Sequence, residues 1–263
     1  PDIDAVIIGT PDHWHCLNLI DSLSAGKHAY TEKPLANSIE ECNLMVKAAD
    51  RYGKLVQVGQ WQRSGSQYEQ AIAMVNIALY AMGVSAPKSI MASGGKLAYP
   101  DDASETPDTL QTVYEYDGFN MLWEHATGID GGNYGTTEGI AFIGNNGTLV
   151  VNRGGWKVIA ETENVNGTKK EKIEAIELVK PEGSAQRLHC RNFVEAMKAN
   201  DPSMLHCGIK TGSIAAINAH MGNVAYKLGE KIYWDADKGQ FTSGKANKLI
   251  KANYNNGWNL PKV

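Results

Sequence analysis

The first sixty residues confine the fold more tightly than anything after them. An apolar run, IDAVIIG (3–9), gives way to helical periodicity from about Trp14 to Ser24, with Leu17, Ile20 and Leu23 on one side and Gly26 as a stop. A second run, HAYTE (28–32), leads into NSIEECNLMVKAADRYG (37–53). There Ser38, with Glu41 three residues on, reads as a capping box, and Gly53 closes the helix. KLVQVG (54–59) is the third run. Short runs without alternation are what strands covered on both faces look like. Strand, helix, strand, helix, strand at this spacing predicts parallel βαβ units.

From residue 88 the pattern changes. KSIMASGGKLAY, DTLQTVYEY, FNMLWEHATGI, EGIAFIG, GTLVVNRGG, WKVIAETEN and KIEAIELVK read as strands, several of them alternating apolar and polar residues. NNG (145–147) and NG (166–167) supply hairpin turns. This is the grammar of antiparallel sheet with at least one solvated or partner-facing side. Two helical stretches follow, AQRLHCRNFVEAMKAN and the small-residue-rich IKTGSIAAINAHMGNVAYKLG, the second suited to close packing. Tyr254, Trp258 and Leu260 imply that the last residues are ordered, because these side chains gain nothing in solvent. The predicted fold class is α/β: a partial Rossmann-type parallel sheet followed by an α+β domain with a large antiparallel sheet.

Composition excludes several functions. The formal charge is −4, and the densest basic run, TKKEK (168–172), is broken by Glu171, so no nucleic-acid partner is expected. No apolar stretch approaches the roughly 18 residues a membrane span needs. The four cysteines have no CxxC spacing; Cys16 and Cys42 fall on apolar helix faces, and reduced thiols are the default. No Asp/Glu/His cluster has metal-ligand spacing and no GxSxG elbow occurs, so no metal is expected. A soluble protein, cytoplasmic by default, is the expectation. The sequence opens almost directly on a core strand, which leads one to expect more chain upstream and leaves export open.

In open parallel sheets ligands bind beyond the carboxyl ends of the strands. Three stretches occupy those ends here: GTPDHWH, TEKP and GQWQR. A Lys-Pro step at the tip of a buried strand aims an ammonium over the sheet edge, although a Glu-Lys pair is also common as plain solvated surface. Thr10 and Pro11 end the first strand, where backbone and hydroxyl can meet a ribose or phosphate. Trp14 either stacks on a ligand ring or plugs the helix–sheet seam. Arg63 either fixes a polar group or forms a structural ion pair. His125 and His220 could face substrate, but a lone histidine in such a place is more often a satisfied structural residue.

TPDHWH, GKHAYTEKP and the late GNVAYKLGEKIYWD, in this order, resemble the Gfo/Idh/MocA family of NAD(P)-dependent oxidoreductases, named for glucose–fructose oxidoreductase and inositol dehydrogenase. The resemblance implies a Rossmann domain joined to an antiparallel-sheet domain, here 1–63 and 64–263, and a homodimer or homotetramer formed through the antiparallel sheet. It implies NAD or NADP as cofactor, a small carbohydrate-like substrate, and hydride transfer from a sugar, cyclitol or glycoside hydroxyl. Lys33 becomes the catalytic candidate, its partly desolvated ammonium polarising the hydroxyl. Thr10, Pro11, His15, Glu32, Lys33, Pro34 and Gln60 become cofactor-binding candidates, and Trp61, Arg63 and His125 substrate-binding ones. Two departures stand out. The chain has no GxGxxG, so the resemblance implies that a first Rossmann unit is missing. No histidine lies between His28 and His125, so a substrate-domain segment is expected to be absent near residue 75. Two alternatives accompany dehydrogenation: an NAD-dependent glycosidase of the same fold, and a non-catalytic dimeric scaffold if the chain is truly this short.

Overall fold

A computed structural model describes residues 2–71, 86–129 and 131–263; the deletion expected near residue 75 lies outside the described residues. The chain divides into two compact units, one of Pro1–Gln60, Val84–Gly128 and Asn192–Val263, the other of Trp61–Gly83 and Ile129–Arg191.

In the first unit the alternation of the opening sixty residues becomes β1 (Ala5–Ile8), α1 (Asp12–Ser24), β2 (His28–Thr31), α2 (Ile39–Tyr52) and β3 (Val56–Val58). The three strands form a parallel sheet in the order β1-β2-β3, with Ala5 opposite His28 and Ala29 opposite Val56. Helix α1 starts two residues before its apolar periodicity, because Asp12 sits favourably in the positive first turn. The Ser38 side chain accepts from the Glu41 N–H as the capping box predicts, but the Glu41 carboxylate turns to the Asn37 N–H instead of the Ser38 N–H. Gly53 takes the left-handed conformation (φ 61°) that ends α2. Ile8, Leu19, Ile20, Leu23, Met45 and Val58 form the core of this layer.

The same unit holds five antiparallel neighbours in the order β14-β13-β4-β5-β6: β4 (Ser89–Gly95), β5 (Thr109–Glu115), β6 (Asn120–Ala126), β13 (Ile232–Asp235) and β14 (Gln240–Phe241). One face carries Ile90, Tyr114, Ile232 and Phe241, all nearly inaccessible, against Met221, Val224 and Ala225 of α4 (Ile209–Leu228). The register puts Met91, Val113, Leu122 and Tyr233 on the opposite face, where Met91, Leu122 and Tyr233 are exposed. Helix α4 is rich in small residues because it must come close to two layers. A Cβ at Gly212 would lie 2.4 Å from a Val58 methyl, and one at Gly222 would lie 2.5 Å from the Tyr114 hydroxyl. Residues 250–263 follow the short helix α5 (Gly244–Lys248) and are ordered as expected: Trp258 meets Trp14 edge to face, and Leu260 and Val263 pack on the parallel-sheet core.

The second unit contains a four-stranded sheet in the order β12-β9-β8-β7: β7 (Ile140–Ile143), β8 (Gly147–Asn152), β9 (Gly155–Ala160) and β12 (Ile176–Val179). Leu149, Val151, Trp156 and Val158 pack with Tyr68 and Ala71. A hairpin, β10 (Thr162–Val165) and β11 (Thr168–Glu171), closes through Asn166-Gly167, both at positive φ, as a two-residue turn requires. The antiparallel strands read from the sequence are thus shared among separate sheets. Helix α3 (Ala185–Ala199) contributes to both units. Among the described residues no helix is long and apolar enough to cross a membrane.

Candidate active site

Three parallel neighbours end at one edge, so their tips come together by topology alone. Backbone bonds register them: the Glu32 N–H donates to the Ile8 carbonyl at 2.9 Å, and the Gly59 N–H to the Thr31 carbonyl at 2.8 Å. Beyond β1 lie Thr10 and Pro11, beyond β2 lie Glu32, Lys33 and Pro34, and beyond β3 lie Gly59 and Gln60.

His15 joins two of these tips. Helix α1 carries it inward to 1% exposure. Its Nε2 lies 2.7 Å from the Thr10 carbonyl and its Nδ1 2.8 Å from the Pro34 carbonyl, so the tautomer decides which carbonyl receives the N–H of a neutral ring. Asn18 adds a bond from its amide to the Thr10 hydroxyl at 3.2 Å. His15 therefore holds the loops that carry the other candidates, and its own ring atoms are committed to backbone.

Glu32 leans across β3. A Cβ at Gly59 would sit 2.5 Å from the Glu32 Oε2, so glycine is what leaves room for the carboxylate. The Lys33 N–H donates to that same oxygen at 3.1 Å. The Lys33–Pro34 peptide bond is cis. Lys33 itself is exposed, and among the described residues its ammonium has no hydrogen-bond or ion-pair partner. The desolvation expected for it is not supplied by this unit. Gln60 is half-buried, and its Oε1 lies 3.6 Å from the Cys207 thiol.

Of the three substrate candidates, two fall in the second unit and one in the first. Trp61 and Arg63 belong to the second unit, on a short 3-10 turn. There Trp61 lies 5.6 Å beneath the Arg153 guanidinium, and Gln62, with its amide turned, accepts from the same arginine. His125 is exposed on the sheet-edge strand β6, 3.2 Å from the Thr127 hydroxyl. His220 is tied to the Ala36 carbonyl at 2.9 Å. The sequence reading missed Gly59, Asn18 and Arg153. For Arg153 the NRGGW turn was visible, but its pairing with Trp61 joins residues far apart in sequence and has no local trace.

The thiols of Cys16, Cys42 and Cys207 are free and buried. Burial, then the Glu41 charge, pushes both Cys16 and Cys42 up to about 12.

Residues 1–60 match the GFO_IDH_MocA model, described as an oxidoreductase family with an NAD-binding Rossmann fold. A glycosyl hydrolase family 109 protein from Shewanella sp. (strain ANA-3) is 51% identical over 53 residues, 20% of this chain and 12% of that protein. A 1-carboxy-3-chloro-3,4-dihydroxycyclo hexa-1,5-diene dehydrogenase from Comamonas testosteroni is 44% identical over 59 residues, 22% of this chain and 15% of that protein. The chain thus aligns with only a small part of these relatives' length. An inositol dehydrogenase homolog from Azotobacter vinelandii, solved with NADH and myo-inositol, superposes with a TM-score of 0.67 at 20% identity, covering 88% of this chain and 78% of that one. That likeness extends the common fold well beyond the matched segment. Residues 1–60 thus match the NAD-binding Rossmann model of the Gfo/Idh/MocA oxidoreductases, the family their strand-tip motifs resemble.

Proposed function

We propose that the protein oxidises a hydroxyl of a small sugar- or cyclitol-like substrate with a nicotinamide dinucleotide, and that Lys33 holds the reacting oxygen. The observation that carries this reading is the gathering of Thr10, Glu32, Lys33 and Gln60 at one end of a parallel sheet, with an unpaired ammonium among them. The donor set suits the ribose–nicotinamide half of the cofactor: a hydroxyl, a carboxylate seated over Gly59 and an amide. The backbone cradle for pyrophosphate is not in this sequence, which has no GxGxxG.

A bound nicotinamide supplies the acceptor for the hydride leaving the substrate carbon. The chain's own residues do the rest. Lys33 donates to the substrate oxygen and offsets its growing negative charge while the hydroxyl proton passes to solvent. His15 fixes the loops on either side, and Pro11 and Pro34 stiffen them. Trp61, Arg63 and His125 are proposed as substrate contacts, with 1–63 and 64–263 as the cofactor and substrate domains. The exposed Met91, Leu122 and Tyr233 face is proposed as the surface on which two or four copies assemble. NAD is the expected cofactor and NADP the alternative.

The test is reduction of NAD, followed by absorbance, with a panel of cyclitols and aldoses and the intact protein. Formation of NADH that disappears in Lys33→Ala supports the reading; undiminished turnover in that variant removes it. The match to family 109 glycosyl hydrolases favours one second reading, in which the cofactor is used transiently and a glycoside is cleaved. In that case free sugar accumulates with bound NAD and no net NADH.

A further inference from the structure

A concavity lies in the first unit, lined in part by residues that adjoin the loops His15 joins. Its walls are the start of α1, the loop leading into α2, the end of α4 and residues 248–258, and it encloses about 580 Å³. That is within the range of small-molecule sites.

Its chemistry is specific. Three lysines line it, Lys227, Lys248 and Lys251. Lys251 is within 3.6 Å of Glu40, whereas Lys227 and Lys248 have no ion-pair or hydrogen-bond partner among the described residues. Both stand in the last turn of a helix, which favours a cation there without needing a ligand. Helix position alone does not explain why two separate helices direct their terminal lysines to one concavity.

The remaining walls supply what hydroxyl-rich molecules bind. The side-chain amides of Asn37, Asn253, Asn255 and Asn256 make no hydrogen bond among the described residues, so each offers a donor and an acceptor. Trp14 and Trp258 form an apolar wall, and Trp258 remains 54% exposed despite its contact with Trp14. Glu41 is the one carboxylate of the lining, and it is spent. It accepts from the Tyr254 hydroxyl at 2.5 Å, from the Asn37 N–H at 2.9 Å and from the Ser38 hydroxyl at 3.2 Å. The charge left open to a ligand is therefore positive.

We propose that this cleft binds a small sugar carrying an anionic group, phosphate or carboxylate, with the anion on Lys227 and Lys248, the hydroxyls on the asparagine amides and the ring against the indoles. The site needs no dinucleotide and stands apart from the oxidoreductase reading.

The test is calorimetric titration of the cofactor-free protein with glucose 6-phosphate, glucuronate, glucose and inorganic phosphate, alongside NMR of the indole N–H groups, assigned with Trp14→Phe and Trp258→Phe. We expect saturable binding of glucose 6-phosphate or glucuronate, with the Trp14 and Trp258 signals moving and the other indoles still. Which of the two binds more tightly identifies the anion. The double variant Lys227→Gln/Lys248→Gln should weaken binding at least about tenfold, two charged hydrogen bonds being lost. Lys245→Gln, on the same short helix as Lys248 but outside the lining, should leave it unchanged. Phosphate binding as tightly as the sugar phosphate overturns the sugar part of the proposal. No binding by any anion, or binding indifferent to the double variant, overturns the whole.

Discussion

The two sheets of the first unit use the same amino acids to opposite ends. The parallel sheet is short, its strands three or four residues long, and what matters about it is one edge, where three chain reversals bring polar groups together. The antiparallel sheet is broader, and what matters about it is one face, where Met91, Leu122 and Tyr233 stand clear of the core. Parallel strands all point one way, so their loops pile up at a single end and become a place for chemistry. Antiparallel strands alternate direction and scatter their loops to both ends. Such a sheet offers area instead of a focus.

That contrast can be broken by substitution. Lys33→Ala should lower turnover of the proposed reaction by about 10²–10⁴-fold, the usual scale for a group acting on a proton in the transition state. It should move unfolding free energy by less than about 0.5 kcal/mol, because an exposed, unpaired side chain contributes little to stability. Steady-state kinetics and urea melts on the same sample separate the two. Across the antiparallel sheet the effect should be structural and one-sided. Ile90→Ala, on the covered face, should cost about 2–5 kcal/mol. Leu122→Ala, on the open face, should cost under about 0.5 kcal/mol in a single chain. A larger Leu122 effect that grows with protein concentration would show that this face is buried between copies.

His15→Leu should cost about 1–3 kcal/mol, since it removes the N–H from whichever of the Thr10 and Pro34 carbonyls the ring serves and unties the two loops. The same variant should raise the apparent KM for cofactor more than it lowers kcat. The smallest effect concerns His28, at the other end of β2. Burial, then the Lys54 charge, lowers its pKa from 6.5, and its Nδ1 accepts from the Leu55 N–H. The unfolded chain therefore takes up the proton first. His28's contribution is intact above pH 6.5 and is lost as the pH falls through the lower folded value. Thermal melts of wild type and His28→Gln should converge on acidification.

The sequence made some of this readable and concealed the rest for identifiable reasons. Ser38 and Gly53 announce the ends of α2 because capping is local chemistry. Strand alternation identifies the antiparallel segments but does not name their neighbours. One large sheet could be foreseen, whereas the division into sheets of five and four could not. Motif spacing marks His15, yet only the folded chain shows both ring nitrogens facing backbone. The Glu32–Gly59 contact crosses from one strand to the next, and the lysine-lined cleft unites residues from 13 to 258. Nothing in a local window reports such meetings.

The two glycines of α4 carry a last implication. Gly212 and Gly222 are ten residues apart, one against Val58 of the parallel sheet and the other against the Tyr114 hydroxyl of the antiparallel sheet. The helix thus works as a shim, its thickness set by two absent methyl groups. A methyl at either position would have to displace the side chain it meets, so the spacing between the strand-tip edge and the broad face is written in what these residues lack.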